Sequence, residues 1–290
     1  MAPRPTRLVV SPSAGGERID VALARLAGMS RRRARRLLAE GSVHRNGQPC
    51  RVQSRLVDAG DVLDVLAEVE TAAPPAPEVV LRHEDRWLVV ADKPAGVLSQ
   101  PASGRNEIAF DALVLLALAA REGRRPYLRM VHRLDRQTSG LVLFARAPQA
   151  LPELTRAWGE GRVEREYLAI VDGVPEEEQL TVTAPIGRDQ EHRWRFRVDP
   201  DRGRPASTEV RRIACSGGRA LVRCRLLTGR THQVRVHLAS IGHPVTGDRL
   251  YGGSSGPRPL LHAARLALPH PRTGELLEVE SPLPEDMPGP

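Results

Sequence analysis

In the middle of this chain, a short polar loop leads directly into an apolar run. Residues 132–141 read HRLDRQTSGL and place one carboxylate, Asp135, between the guanidinium groups of Arg133 and Arg136. The apolar run Leu141–Phe144 predicts a buried strand, and a polar loop that feeds such a strand holds its side chains on a rigid scaffold. The loop makes Asp135 the first candidate for chemistry. A surface turn with an ordinary Asp–Arg ion pair is the alternative interpretation.

The chain is basic. Its 290 residues include 43 lysines and arginines against 35 aspartates and glutamates, which gives a formal net charge of +8. A charge of this sign favours a polyanionic partner, RNA or DNA. Lys93 is the only lysine, so the other basic residues are arginines, whose planar fork bonds phosphates and bases in a bidentate way. Aromatic residues are only 3% of the chain, too few for a base-stacking sheet.

Several classes of site and compartment do not fit the sequence. The three cysteines form no CxxC pair and the histidines form no HExxH or Cys–His pattern, so we expect a reducing compartment and no metal site. There is no P-loop and no GxGxxG, so no nucleotide cofactor is expected. No apolar run is long enough to cross a membrane, and residues 1–16 lack the apolar core of a signal peptide. We therefore expect a cytoplasmic protein without a cofactor, and a monomer by default.

The chain divides into a tail, a small domain, a linker and a large domain. We predict a disordered tail over 1–17, the small domain over 18–68, a linker rich in proline and alanine over 69–77, and the large domain over 78–290. The large domain has many short β-like segments and few helical patterns. This mixture predicts an α+β fold with a mixed, largely antiparallel sheet. The helical patterns lie near 108–120, 151–158 and 232–241.

In the small domain, the sequence predicts two short helices followed by a small sheet. Apolar spacing from Ile19 predicts the first helix, which Gly28 can end. Ser30 can cap the start of the second helix, and Gly41 can end it. The pair Asn46-Gly47 suits the type I′ turn of a β-hairpin.

The second of these helices carries five arginines within six residues: Arg31, Arg32, Arg33, Arg35 and Arg36. Without an acid to pair with, such arginines repel one another unless an anion binds there, so we expect this helix to bind RNA. A solvated helix face is the alternative. Two short helices before a small sheet, with arginines on the second helix, resemble the S4 RNA-binding domain.

The motifs of the large domain resemble those of the pseudouridine synthases of the RluA type. The stretch 132–141 resembles their catalytic motif, whose central aspartate does the chemistry. Three further stretches, Lys93–Val97, Arg165–Ala169 and Leu226–Arg235, resemble other motifs of that family, although Arg165 stands where lysine is common. The resemblance implies the fold of this family for the large domain and RNA as its partner.

The resemblance also assigns roles to single residues. Asp135 is the catalytic residue, and Tyr167 stacks on the target base and moves a proton at C5, although a strand tyrosine could equally belong to the core. Arg230 forms an ion pair with Asp135, and this keeps a partly buried carboxylate charged. A phosphate contact is the alternative for Arg230, but Arg235 is the better candidate for that contact. Arg133 takes part in flipping the nucleotide, or it holds a phosphate.

Two further features stay open. Lys93 has a structural or RNA-contacting role, or it is a chance lysine. The arginine-rich segment 189–205 is a mobile RNA-binding loop, which we favour, or a solvated turn region.

The implied reaction is the isomerisation of specific uridines in structured RNA to pseudouridine. The aspartate could attack C1′ or C6, or it could remove the proton at C2′, and the sequence leaves both routes open. The S4 resemblance favours 23S ribosomal RNA over transfer RNA. A catalytically silent RNA-binding protein would be expected to lack Asp135, Tyr167 or Arg230, and all three are present. A metal-dependent nuclease would need clustered carboxylates, which Asp135 does not have nearby in sequence.

Overall fold

A computed structural model describes residues 6–66, 79–101, 107–192, 194–287 and 289. The chain divides into two compact units, Met1–Ala76 and Pro77–Pro290. The linker predicted over 69–77 lies outside the described residues. Within the described residues, the helices are all too short or too polar to cross a membrane.

The first unit is a small antiparallel sheet with two helices. Its elements are β1 (Thr6–Val9), α1 (Ile19–Leu26), α2 (Arg31–Glu40), β2 (Val43–Arg45), β3 (Gln48–Pro49) and β4 (Val62–Val65). The strands lie in the order β1-β4-β2-β3. Apolar residues of both helices and of β4 form one core, which includes Ile19, Leu38 and Leu63.

Local signals set the boundaries of these elements. The Oγ of Ser30 accepts a hydrogen bond from the backbone N–H of Arg33 at 3.2 Å, so the predicted cap of α2 is confirmed. Gly41 ends α2 in the left-handed conformation. Asn46 and Gly47 both have positive φ, as the type I′ turn between β2 and β3 requires.

The predicted disordered tail is wrong from Thr6 onwards. Residues Thr6–Val9 pair with β4, with Leu8 opposite Leu63, and Val10 and Ala14 are buried in the core of the unit. A four-residue edge strand with alternating exposure carries too weak a pattern to be recognised in sequence, because its stability comes from pairing with a distant strand. Residues 1–5 of the predicted tail lie outside the described part of the chain.

The second unit is built on one large sheet. Its strands are β5 (Val80–Glu84), β6 (Leu88–Lys93), β7 (Arg129–Met130), β8 (Ser139–Ala145), β9 (Glu164–Asp172), β10 (Gln179–Thr183), β11 (Ile186–Arg188), β12 (Phe196–Val198), β13 (Ser207–Ser216), β14 (Arg219–Leu226), β15 (Leu261–Pro269) and β16 (Leu276–Glu280). Its helices are α3 (Phe110–Glu122), α4 (Ala150–Gly159) and α5 (Gln233–Ser240). The main path of the sheet is β10-β13-β14-β9-β15-β8-β6-β5, while β11 and β12 form a separate hairpin. Only the pairing of β15 with β8 is parallel in the described part of the sheet, so the predicted largely antiparallel α+β fold is confirmed.

Strand β8 is buried along its whole length and lies between β15 and β6 in the sheet. Leu141 and Leu143 belong to the core that includes residues of α4, whereas Val142 and Phe144 belong to the core that includes residues of α3. Gly140 has a φ of 112°, and a Cβ there would lie 2.3 Å from the carbonyl oxygen of Ala263 on β15. A glycine at this position therefore allows β15 to approach β8 directly after the polar loop.

Candidate active site

The loop that carries Asp135 is fastened on both sides of that residue. Ser99 Oγ donates to the carbonyl of Leu134 at 2.6 Å and accepts from the N–H of Leu134 at 3.0 Å. On the other side, Lys93 Nζ donates to the carbonyl of Arg136 at 3.1 Å. The loop then enters β8, so the position of Asp135 is fixed by the most buried strand of the unit.

Lys93 has a structural role in this loop. Its side chain is 1% exposed, and its ammonium also donates to the carbonyls of Pro94 and Val97, each at 2.9 Å. Burial lowers the pKa of Lys93 to about 7, although the nearby charge of Asp135 acts in the opposite direction. An ammonium has three donors, which here serve three carbonyls of two different loops. This geometry favours the structural interpretation of Lys93 over an RNA contact.

The carboxylate of Asp135 lies next to a buried guanidinium. Arg235 Nη1 donates to Asp135 Oδ2 at 3.1 Å, and the other nitrogens of Arg235 hold Asp248 at 2.6 and 2.8 Å. Burial alone would lower the pKa of Arg235, but Asp248 and Asp135 together raise it above its usual value. Arg235 therefore stays charged and places its positive charge directly against the carboxylate of Asp135.

The expected ion pair between Arg230 and Asp135 is wrong. Arg230 precedes α5, where its N–H donates to Gln233 Oε1 at 2.9 Å and its Nε donates to the carbonyl of Pro205 at 3.0 Å. The residue that pairs with Asp135 is Arg235, which we had interpreted as a phosphate contact and which is 8% exposed. Because Arg235 lies inside α5 and Arg230 lies in the turn before it, the two side chains reach different places.

His232 is a neighbour of Asp135 that the sequence analysis missed. Its Nε2 lies 3.6 Å from Asp135 Oδ2, and its Nδ1 lies 2.8 Å from Tyr251 Oη. Tyr251 Oη accepts from the N–H of Phe196 at 3.1 Å, so its own proton is free to point at His232 Nδ1. When the hydroxyl donates to Nδ1, the ring proton of neutral His232 lies on Nε2, facing the carboxylate. Burial lowers the pKa of His232, while Asp135 opposes this effect.

Tyr167 and Arg165 form the wall of the site on β9. Tyr167 lies opposite Cys224 on β14 and Ala263 on β15, and it packs between two apolar clusters on the same face of the sheet. Burial raises the pKa of Tyr167 to about 12, with Arg165 opposing the effect and Asp135 adding to it. Tyr167 is therefore a neutral phenol at physiological pH.

Arg165 lies beside Tyr167 with part of its guanidinium unsatisfied. Its Cζ lies 5.1 Å from the ring centroid of Trp158, and its buried Nε has no hydrogen-bond partner among the described residues. Trp158 also stacks with His132, with ring centroids 4.0 Å apart. Burial lowers the pKa of His132 to about 3, and the charge of Arg165 adds to this, so the ring is neutral.

These side chains line one cleft of about 630 Å³. Its surface is formed by several of these side chains: Asp135, Arg165, Tyr167, Arg230, His232 and Arg235. Arg133 lies at its exposed rim. A cleft of this size accommodates a small organic ligand, which fits a single nucleotide turned out of an RNA strand. The arrangement offers a charged carboxylate and a flat neutral ring in one cleft.

The segment 189–205 is partly a structured hairpin rather than the mobile loop that we favoured. Strands β11 and β12 pair, with Ile186 opposite Val198, and Phe196 packs edge-on against His232. Trp194, between the strands, is 69% exposed. The hairpin therefore supports the site through Phe196, and its contact with RNA stays a prediction.

In the first unit, the arginines of α2 do have acids to pair with, contrary to our expectation. Arg31 and Arg35 both donate to the buried carboxylate of Asp20 on α1, at 2.9 and 2.6 Å. Burial would raise the pKa of Asp20, but these arginines and Arg18 lower it well below its usual range. Arg36 pairs with Glu40 at 2.7 Å. Arg32 and Arg33 are exposed like the other three, so RNA binding by this face stays a prediction.

Known proteins resemble the chain in both units. Residues 87–240 match a family model described as RNA pseudouridylate synthase, and residues 17–63 match the S4 domain. The chain is 36% identical over 295 residues to a protein of Nitrosomonas europaea named ribosomal large subunit pseudouridine synthase D, covering 97% of this chain and 85% of that protein. It is 40% identical over 296 residues to an uncharacterized RNA pseudouridine synthase of Chloroflexus aurantiacus, covering 97% of this chain and 90% of that protein. The solved structure of human RNA pseudouridylate synthase domain containing 1 covers 73% of this chain and matches over 86% of its own length, with a TM-score of 0.60 and 28% identity.

Proposed function

Because this chain belongs to the RNA pseudouridylate synthase family and carries an S4 domain, we propose that Asp135 is the catalytic carboxylate of an RNA-modifying isomerase. The observation that carries this proposal is the contact between Asp135 and the buried guanidinium of Arg235 inside the cleft. A carboxylate held in its charged form can act as a nucleophile or as a base, whereas a protonated one cannot.

The reaction exchanges one bond of uridine for another. The bond between C1′ and N1 breaks, the uracil rotates, and a bond between C1′ and C5 forms. C5 loses its proton and N1 gains one, so no oxidant or added group is needed. Asp135 could attack C1′ or C6, or it could take the proton at C2′, and both routes need the charged carboxylate. The target atoms are hidden in stacked RNA, so the nucleotide must be flipped into the cleft.

Tyr167 serves this reaction as a flat neutral ring under the base. With a pKa raised to about 12, the phenol of Tyr167 stays protonated at pH 7. This makes stacking the main role of Tyr167 and leaves little phenolate to take the proton from C5. We propose that Arg133, exposed at the rim, flips the nucleotide or fills the gap that the nucleotide leaves.

We propose large-subunit ribosomal RNA as the substrate, because curated relatives that match nearly the whole chain carry that name. The five arginines of α2 and the basic rim of the cleft would contact its phosphates. This substrate implies action in the cytoplasm, and a monomer stays our prediction for the active form.

The test compares the wild-type protein with Asp135→Asn on ribosomal RNA transcripts labelled with tritium at C5 of uridine. Release of tritium reports the loss of the C5 proton. We expect the wild type to release it and the variant to release none above background, with RNA affinity retained. Asp58→Asn, which removes a mostly exposed carboxylate of the first unit, is the matched control and should release tritium normally. Turnover by the Asp135→Asn variant would remove Asp135 from the mechanism.

A further inference from the structure

The arginines of the second unit that lack a carboxylate partner fall into two groups. Among the residues that the structure describes, one group lies on the cleft, on the β11–β12 hairpin and on the turns next to them. Arg212 belongs to neither group, because its guanidinium donates to backbone carbonyls. The remaining arginines without a carboxylate partner form the second group. These five are all exposed: Arg86, Arg124, Arg125, Arg129 and Arg272.

This second group lies at the opposite end of the central strands from Asp135. Strand β8 begins at Ser139 next to the catalytic loop and ends at Ala145, opposite Leu88 of β6. Seven residues of β-strand span roughly 20 Å at about 3.3 Å per residue. Trp87 directly precedes β6 at this far end, so the group is a distinct surface and no part of the cleft.

Aromatic rings order the guanidinium groups on this surface. The Cζ atoms of Arg86 and Arg272 each lie 5.6 Å from the ring centroid of Trp87, and that of Arg129 lies 5.8 Å from Tyr127. Such cation–π contacts hold a planar cation against a ring while leaving its N–H groups available. A depression of about 640 Å³ lies between Trp87 and Tyr127 and is also lined by Arg124.

The acids near this surface are already engaged. Glu84 accepts from Arg121 and Arg146, and Arg146 also binds Glu122. Asp85 accepts from the backbone N–H of Trp87 at 2.6 Å and faces two histidines. Arg121 and Arg146 thus balance Glu84 and Glu122, and only Asp85 remains against the five exposed guanidinium groups. The surface therefore keeps a net positive charge, with two aromatic rings inside it.

We propose that this surface, which we call the Trp87 surface, binds a second segment of the RNA whose uridine enters the cleft. This proposal rests on the proposed function, because it takes the same RNA as the partner. Unpaired guanidinium groups neutralise phosphates and release counterions, and rings between them give bases a face to stack on. Two contact points separated by the length of the sheet would select RNA by its folded shape in addition to the sequence around the uridine.

The experiment measures the affinity of the full chain for a folded large-subunit ribosomal RNA transcript at several salt concentrations. The test variant combines Arg124→Gln, Arg125→Gln and Arg272→Gln. The control combines Arg156→Gln, Arg162→Gln and Arg211→Gln, which removes three exposed charges of the same unit that are paired with glutamates. Melting temperatures should confirm that both variants are folded.

We expect the test variant to bind the transcript more weakly, with a slope of log affinity against log salt that is smaller by about 2 to 3, since each phosphate contact contributes about 0.7 to 0.9. The control should change this slope much less. A short single-stranded oligonucleotide that carries the target uridine cannot span both surfaces, so it should bind both variants like the wild type. Equal affinity and slope for the test variant and the control on the transcript would overturn the proposal.

Tritium release, measured on the same preparations, separates this proposal from the proposed function. If the wild type binds RNA through the Trp87 surface but releases no tritium from any transcript, the proposed function fails and the surface stands. If the wild type turns over and the test variant keeps the affinity and slope of the control, the surface fails and the function stands.

Discussion

Replacing Arg235 with lysine tests which guanidinium group serves Asp135. Arg235 uses two nitrogens on Asp248, which is almost fully buried, and one on Asp135, whose side chain is 29% exposed. A lysine has one charged nitrogen and cannot reproduce this fork. The ammonium should remain with the more buried carboxylate of Asp248, so the charge is kept and the hydrogen bond to Asp135 is lost.

The size of the effect follows from that single contact. A hydrogen bond to a charged group contributes about 1.5 to 3 kcal/mol. If the whole of it acts in the transition state, the rate should fall roughly 10- to 150-fold, at 1.36 kcal/mol for each factor of ten. The assay is tritium release in a single turnover at saturating enzyme, which removes differences in RNA binding.

Arg230→Lys is the matched control, because it makes the same substitution in the same motif. Arg230 contacts the carbonyl of Pro205 and not Asp135, so this variant should retain most of the rate. A wild-type rate for Arg235→Lys, or a larger loss for Arg230→Lys than for Arg235→Lys, would refute the assignment. Thermal melting of both variants separates a loss of fold from a loss of chemistry.

Three other predictions concern the support of the site. Tyr251→Phe removes the hydroxyl that orients His232, so the single-turnover rate should fall by about tenfold, the worth of one hydrogen bond, while the RNA affinity stays constant; an unchanged rate would mean that the orientation does not matter. Burial lowers the pKa of Lys93 to about 7 in the folded state, whereas in the unfolded state this pKa is near 10.4. Between these two pH values, Lys93 is protonated in the unfolded state and mostly neutral in the folded state. The free energy of unfolding should therefore rise with pH across that window by up to about 1.4 kcal/mol per unit, and denaturant titrations of Lys93→Met should lack this rise. Gly140→Ala places a Cβ against backbone and should lower the melting temperature strongly, whereas Gly252→Ala, with a similar φ and open space around it, should cost only about 1 to 2 kcal/mol; equal losses would contradict the close strand approach.

Local signals in the sequence were enough to place elements whose ends are set by their own residues. The cap at Ser30, the turn at Asn46-Gly47 and the apolar run of β8 all act through neighbours in sequence, and the structure confirms each of them. Edge strand β1 depends on pairing with β4 more than fifty residues later, and its four residues carry no pattern that shows this.

Charge pairing was predicted less well, because it depends on which side chains the fold brings together. The arginines of α2 have few acids beside them in sequence, yet α1 supplies Asp20 to two of them. In the stretch Leu226–Arg235, the resemblance assigned the carboxylate partner to Arg230, whereas the structure gives it to Arg235. The start of α5 at Gln233 decides the question, since it leaves Arg230 in the preceding turn and places Arg235 within the helix.

The surroundings of Asp135 are also built by residues that only the fold brings together. One turn, between α5 and β15, supplies both Asp248 and Tyr251. Asp248 holds the guanidinium that contacts Asp135, and Tyr251 orients the imidazole that faces it. Two neighbours of the carboxylate are thus fixed by a segment that lies outside the motif carrying Asp135. A change in this turn should therefore alter the contacts of Asp135 with both neighbours together, although the turn itself need not touch the RNA.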